Sequence, residues 1–182
     1  MIITQTYGHE SVTVSLSGAA DSRHVDKAIP AFREAIALKP DDEDTYRSLD
    51  YYSSKLDDFA RAIEIYEQAI KDDPDNALAQ ESLGKAYFAT HSYWKAAERY
   101  QQAIRLQPDN GMAHYELASA YLMLGDKDSA LAEQKSLQDL VTRTDDYVLK
   151  RSYRFRADEL LKKIQELSCN VFLRRVQAHQ TR

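Results

Sequence analysis

Phe32-Arg-Glu-Ala-Ile-Ala-Leu-Lys-Pro-Asp41, Tyr66-Glu-Gln-Ala-Ile-Lys-Asp-Asp-Pro-Asp75 and Tyr100-Gln-Gln-Ala-Ile-Arg-Leu-Gln-Pro-Asp109 are three versions of one phrase. An aromatic residue, then Ala-Ile, then Pro-Asp recurs in register, and Pro40, Pro74 and Pro108 stand 34 residues apart. A constant period of this length marks a chain built from stacked supersecondary units. Within each period the apolar residues step by three or four. Phe59, Ala62, Ile63, Tyr66, Ala69 and Ile70 share one helical stripe, as do Tyr93, Ala96, Ala97, Tyr100, Ala103 and Ile104. Leu83, Ala86 and Tyr87 repeat the stepping ahead of the second stripe, so each period predicts two amphipathic helices. Proline cannot continue a helix, and Asp42, Asn76 and Asn110 follow as N-caps for the next one. Gly84, Ala96, Ala118 and Ala130 are small where paired helices approach closely, with Tyr, Phe and Leu filling the space beside them.

These phrases resemble the tetratricopeptide repeat, whose unit reads W-x2-L-G-x2-Y, then A-x3-F, then P. Residues 77–110 match best, through Leu83, Gly84, Tyr87, Ala96, Tyr100 and Pro108, with Gln80 at the Trp position. Residues 43–76 supply Tyr46, Leu49, Ala62, Tyr66 and Pro74 but carry Asp50 for the Gly and Ser53 for the Tyr. Residues 111–144 supply Leu117, Ala118, Tyr121, Gly125 and Ala130, then have Gln134 and Thr142 for the aromatic and the Pro. Residues 22–42 resemble a half repeat through Ala28, Phe32, Ala35 and Pro40. The resemblance implies an all-α fold, a right-handed α-α superhelix of about three full helical hairpins plus a half repeat and a C-terminal capping helix. The domain boundaries expected are an irregular or strand-like segment over 1–20, an array over 21–144, and a capping helix with a basic tail over 145–182.

In the family the first helix of each unit lines a concave groove, so the resemblance implies that its second, fifth, ninth, twelfth and thirteenth residues face a ligand. These are Asp44, Arg47, Tyr51, Ser54 and Lys55, then Leu78, Glu81, Lys85, Phe88 and Ala89, then Met112, Tyr115, Ser119, Leu122 and Met123. The expected partner-binding set is Arg47, Tyr51, Lys85, Phe88, Tyr115, Ser119, Leu122 and Met123. Its aromatic and apolar members suit an amphipathic helix or an extended peptide with apolar anchors, and Arg47 and Lys85 add a contact for a carboxylate. The alternative is that these side chains cover one another or pack on a terminal helix folded back into the groove. The carboxylate clamp found in some family members is not matched, because Tyr51, Ser82 and Met112 occupy clamp positions beside Arg47.

The ends differ in character. Ile2, Ile3, Val12, Val14 and Leu16 alternate or cluster with Thr and Ser, as in an extended or strand-like segment or a disordered one. Over 147–176 the apolar positions Tyr147, Tyr153, Ala157, Leu160, Leu161, Ile164, Leu167, Phe172 and Val176 mostly keep helical spacing. Arg156, Lys162, Lys163 and Arg175 are assigned to the opposite face, and a break is expected near Ser168-Cys-Asn. The net charge of −5 divides into −10 over residues 1–142 and +5 over 143–182. The basic tail is read as packing on the acidic body rather than on nucleic acid, and the arginines of Arg151-Ser-Tyr-Arg-Phe-Arg156 as snorkelling from a helix face. No apolar run reaches the length of a bilayer span, the stretch from Met1 to Val14 has neither a basic n-region nor a long apolar h-region, and Cys169 is the lone cysteine. A cytoplasmic location is the expectation.

Catalysis and cofactors are not expected. His9, His24, His91, His114 and His179 are scattered without metal-ligand spacing. The acidic runs Asp41-Asp-Glu-Asp44 and Asp72-Asp-Pro-Asp75 lack the Gly and distal Glu of a calcium loop and read as caps. His91 falls in an inter-helix turn where the family often has Gly, and His114 at a first-helix position often holding an aromatic. There is no phosphate loop and no nucleophile elbow. The function expected is a scaffold or adaptor for a protein or peptide. The alternatives are a self-assembling module, a homo-oligomer through the array ends, and a regulatory fragment of a larger enzyme.

Overall fold

The computed structural model describes the backbone of residues 2–7, 10–15 and 22–180 and the side chains of residues 29–167. His9, Cys169 and the outer apolar positions of the tail, Phe172 and Val176, lie outside the described side chains. The chain divides into two compact units, Met1–Thr90 and His91–Arg182.

Unit 1 opens with an antiparallel pair, β1 (Ile2–Tyr7) and β2 (Glu10–Ser15), in a register that places Ile3 opposite Val14 and Tyr7 opposite Glu10. Four helices follow: α1 (Ser22–Leu38), α2 (Glu43–Leu56), α3 (Phe59–Asp72) and α4 (Ala77–Ala89). Their apolar stripes meet in one core formed by Phe32 and Ile36, Tyr46, Leu49 and Tyr52, Ala62, Ile65 and Tyr66, and Ala79, Leu83 and Ala86. The rings interlock, with Tyr46 stacked on Tyr66 at 5.8 Å between centroids and Phe32 tilted against Tyr52 at the same distance. Full burial of a side chain of this size stabilises the fold by about 1.5–3 kcal/mol. Burial pushes the Tyr46 hydroxyl up to about 12. That hydroxyl accepts from the Asn76 amide at 3.0 Å, and the same amide donates to the Pro40 carbonyl at 2.6 Å, tying two successive turns together.

Unit 2 contains α5 (Tyr93–Leu106), α6 (Gly111–Leu124), α7 (Lys127–Arg143) and α8 (Tyr147–Gln180). Ala118 of α6, Leu137 and Leu140 of α7, and Ala157 and Leu160 of α8 form its core beside α8. The helix α8 is unbroken, so the interruption expected near Ser168 is absent from the backbone. Its stripe is also narrower than the apolar spacing suggested. Ala157, Leu160 and Ile164 are buried, whereas Tyr147, Leu161 and Leu167 are exposed. A stripe set by a small set of contacting helices uses fewer positions than a fully enclosed one.

Local chemistry explains the helix ends. Asp42 accepts from the Thr45 amide, Asn76 from the Ala79 amide and Asn110 from the Met112 and Ala113 amides, each cap worth roughly 1 kcal/mol. The turns between first and second helices each hold one residue in the left-handed region: Asp57 (φ 55°), His91 (φ 60°) and Gly125 (φ 80°), again 34 residues apart. Glycine suits this conformation best, and Asp and His are among the side chains that tolerate it. No described helix is long and apolar enough to cross a membrane.

Candidate functional site

On α2 all five implied groove residues, Asp44, Arg47, Tyr51, Ser54 and Lys55, are exposed. Tyr51 is a large ring left 59% accessible. Arg47 is held by Glu43 and Asp44 one turn back, so its guanidinium is already paired along its own helix. On α4 the picture changes. Ala89 is exposed and Phe88 half-buried, but Leu78 packs against the unit 1 core and Glu81 is buried. Lys85 lies 2.6 Å from Glu81 and 3.7 Å from Asp50.

Beside these residues unit 1 holds a partly open cavity of about 200 Å³, lined by Asp50, Ser54, Phe59, Ala62, Lys85 and Ala89 together with Ser53, Tyr66 and Ala86. Both residues at which repeat 43–76 departs from the family's pattern, Asp50 and Ser53, therefore border it. The Asp50 carboxylate accepts from the Tyr66 hydroxyl at 2.6 Å and from the Ser82 hydroxyl at 3.3 Å. Burial pushes its carboxyl above the usual carboxylate range, against the opposing pull of Lys85 and the two hydroxyls. The Tyr66 hydroxyl is pushed well above its ordinary value by burial and by the adjacent Asp50 charge. Of the cavity's lining only Ser54, Lys85 and Ala89 were expected at the site. The departure of Asp50 and Ser53 from the repeat pattern was the available signal for the rest.

In unit 2 the first-helix face of α6 meets α8. Tyr115, Leu122 and Tyr153 pack on the core that α7 and α8 form. Arg156 sits 5.0 Å from the Tyr115 ring centroid and Lys163 5.6 Å, and the Lys163 ammonium also donates to the Tyr115 hydroxyl at 3.3 Å. Arg156 and Lys163, assigned by their spacing to the solvent face of the terminal helix, are thus drawn over an aromatic ring. The Ser119 hydroxyl donates to the Tyr115 carbonyl at 2.9 Å, Met112 is half-buried, and Met123 remains 54% accessible. The structure brings Arg47 and Tyr51 together on α2, Lys85 and Phe88 on α4, and Tyr115, Ser119, Leu122 and Met123 on α6.

His114 is buried and structural in its contacts. Its Nδ1 lies 2.7 Å from Glu133 and its Nε2 3.1 Å from the Pro108 carbonyl, two acceptors that together favour the doubly protonated ring. Burial opposes that charge, but the bonds to Glu133 and Pro108 prevail and raise the imidazole above its ordinary value. Among the described residues no three His, Cys, Asp or Glu side chains converge as a metal site would require.

Comparison with known proteins places this geometry. A family described as "TPR repeat" matches residues 55–90, and one described as "Tetratricopeptide repeat" matches residues 91–142. No curated protein sequence matches the chain. Among solved structures, the TPR2B domain of yeast Sti1 in a pHsp70 complex is 22% identical, with a TM-score of 0.57 over 69% of this chain and 97% of that one. PcrH in complex with the chaperone binding region of PopD is 18% identical, with a TM-score of 0.59 over 69% of this chain and 92% of that one. The second TPR of Spaghetti (RPAP3), bound to the HSP90 peptide SRMEEVD, is 24% identical, with a TM-score of 0.50 over 63% and 98%. With the 34-residue period, the paired helices and the caps described above, these matches identify residues 55–142 as tetratricopeptide repeats, and the solved structures share the fold.

Proposed function

We propose that this chain is a protein-interaction scaffold that binds a peptide or helix of a partner protein on its first-helix faces. The observation that carries the reading is the open face of α2, which presents Tyr51 to solvent and, through Ser54 one turn on, borders a cavity of the same unit. Exposed aromatic rings beside a concavity are the anchors on which peptide recognition concentrates its energy. The solved structures with the same fold include complexes with pHsp70, with the chaperone binding region of PopD and with an HSP90 peptide, which supports the class of ligand. Because α8 already engages Tyr115 and Leu122, recognition is weighted toward Tyr51, Ser54, Lys85 and Phe88.

The test is panning of a random peptide display library on the immobilised chain. Enriched peptides should bind Phe88→Ala on the order of 30-fold more weakly, the effect of losing a central anchor of about 2 kcal/mol. Trp94→Ala, which removes an exposed ring on α5, should bind them unchanged. Equal loss in both variants, or in neither, contradicts the assignment.

A second reading, self-association through α8, has one observation in its favour. Val148 and Phe155 are 73% and 70% accessible and lie on one side of that helix. A monomeric mass by sedimentation at high protein concentration eliminates it.

A further inference from the structure

The cavity in unit 1 has a composition that selects its occupant. Its walls are apolar, from Phe59, Ala62 and Ala89, while Asp50 supplies a carboxylate that is mostly withdrawn from water. Lys85 is the cation beside it, yet its ammonium is closer to Glu81, at 2.6 Å, than to Asp50, at 3.7 Å. Asp50, Glu81 and Lys85 together carry more negative than positive charge. A ligand carboxylate entering here meets Asp50 and is repelled. A wholly apolar group removes the remaining water from Asp50 without supplying a counter-charge, which is costly for a carboxylate. A side chain with an aliphatic stem and a cationic head satisfies both parts of the lining. An enclosed space of about 150 Å³ accepts a benzene ring, so about 200 Å³ admits one such side chain.

We propose that this cavity is the socket for a single lysine or arginine side chain of the bound peptide, with Asp50 as its counter-charge and Ser54 at the mouth. The proposal rests on the groove reading above and adds the chemistry of one ligand position. It also gives Asp50, which stands where the repeat pattern has Gly, a role beyond accepting from the Tyr66 and Ser82 hydroxyls.

The test uses side-chain fragments on the full chain and so needs no partner: amide chemical-shift titrations with n-butylammonium and n-propylguanidinium, against n-butanol and butanoate. One or both cations should give saturable shifts at Ser54, Lys85, Ala86 and Ala89, with a dissociation constant on the order of millimolar, as expected for fragments of this size. The cation that binds more tightly identifies lysine or arginine as the cognate residue. Butanol should bind at least about fivefold more weakly and butanoate not at all. Asp50→Asn should reduce the cation to the level of butanol, whereas Lys85→Met, which removes the competing charge, should tighten it several-fold. No saturable shift with either cation, binding of butanol as tight as the cations, or unchanged affinity in Asp50→Asn overturns the proposal. Should Asp50→Asn fail to fold, weaker cation binding by Lys85→Met overturns it equally. A display library that returns no peptide, with the cation still seated, would instead count against the groove reading.

Discussion

The first-helix face of α2 in unit 1 and that of α6 in unit 2 are written in the same repeat pattern and end in different states. On α2 every implied groove residue is open, Tyr51 most conspicuously. On α6 the equivalent positions Tyr115 and Leu122 pack against α7 and α8, with Arg156 and Lys163 laid over the Tyr115 ring. The same repeat position is therefore open or covered according to what packs on it. In a repeat array a terminal helix must cover the apolar face that stacking leaves behind, and α8 does so at the expense of ligand-facing positions.

The strongest way to break the contrast is to loosen α8. Leu160→Ala removes a fully buried side chain between α8 and its neighbours and should cost about 3 kcal/mol, read as a lower urea midpoint. Tyr51→Ala, a larger truncation but on the open face, should change stability by no more than about 0.5 kcal/mol. Similar costs for the two would mean that the faces are not different.

Gly111→Ala probes the same contact from the other side. An added Cβ would meet the Tyr153 ring at 2.4–2.7 Å, so α6 and α8 must part or the ring must turn, at a cost of about 1–2 kcal/mol. Pairing it with Tyr153→Ala in a double-mutant cycle should recover much of that loss, and strict additivity would contradict the close approach.

A smaller, pH-dependent term belongs to unit 2 through His114. Its folded-state value is raised above the ordinary 6.5, so its contribution to stability is complete below 6.5 and is lost as pH rises through the raised value. The urea midpoint should therefore decline on going from mildly acid to mildly alkaline pH, and Glu133→Gln should flatten that decline. A slope of the opposite sign would place the neutral imidazole in the fold.

The least effect is expected in the turns. His91→Gly should leave stability unchanged or raise it by up to about 1 kcal/mol, while Gly125→Ala should lower it by about 1 kcal/mol, since only glycine adopts the left-handed region without a side-chain penalty.

Most of the architecture was legible because it is written in local chemistry. Proline positions, Asp42, Asn76 and Asn110 as caps, and helical apolar spacing act within a few residues of themselves, so they can be read without knowing the fold. His91 could likewise be placed in a turn where the pattern has Gly. The state of the groove was less legible. Glu81 and Leu78 occupy ligand-facing positions by count, yet one is buried and the other packs on the core. Arg156 and Lys163 were assigned to solvent because sequence spacing cannot show the distant Tyr115 ring that attracts them. The cavity left only an indirect trace, the two departures from the repeat pattern at Asp50 and Ser53, whose meaning depends on Phe59, Ala62 and Ala89 converging from other helices.

The most direct test of the account is to map where a panned peptide lands, by following backbone amide shifts along the chain as the peptide is added. The account predicts that the largest shifts fall on α2 and α4, at Tyr51, Ser54, Lys85 and Phe88, with Tyr115 and Ala118 beneath α8 little changed. Dominant shifts at Tyr115 and Ala118, accompanied by displacement of Arg156 and Lys163, would contradict it.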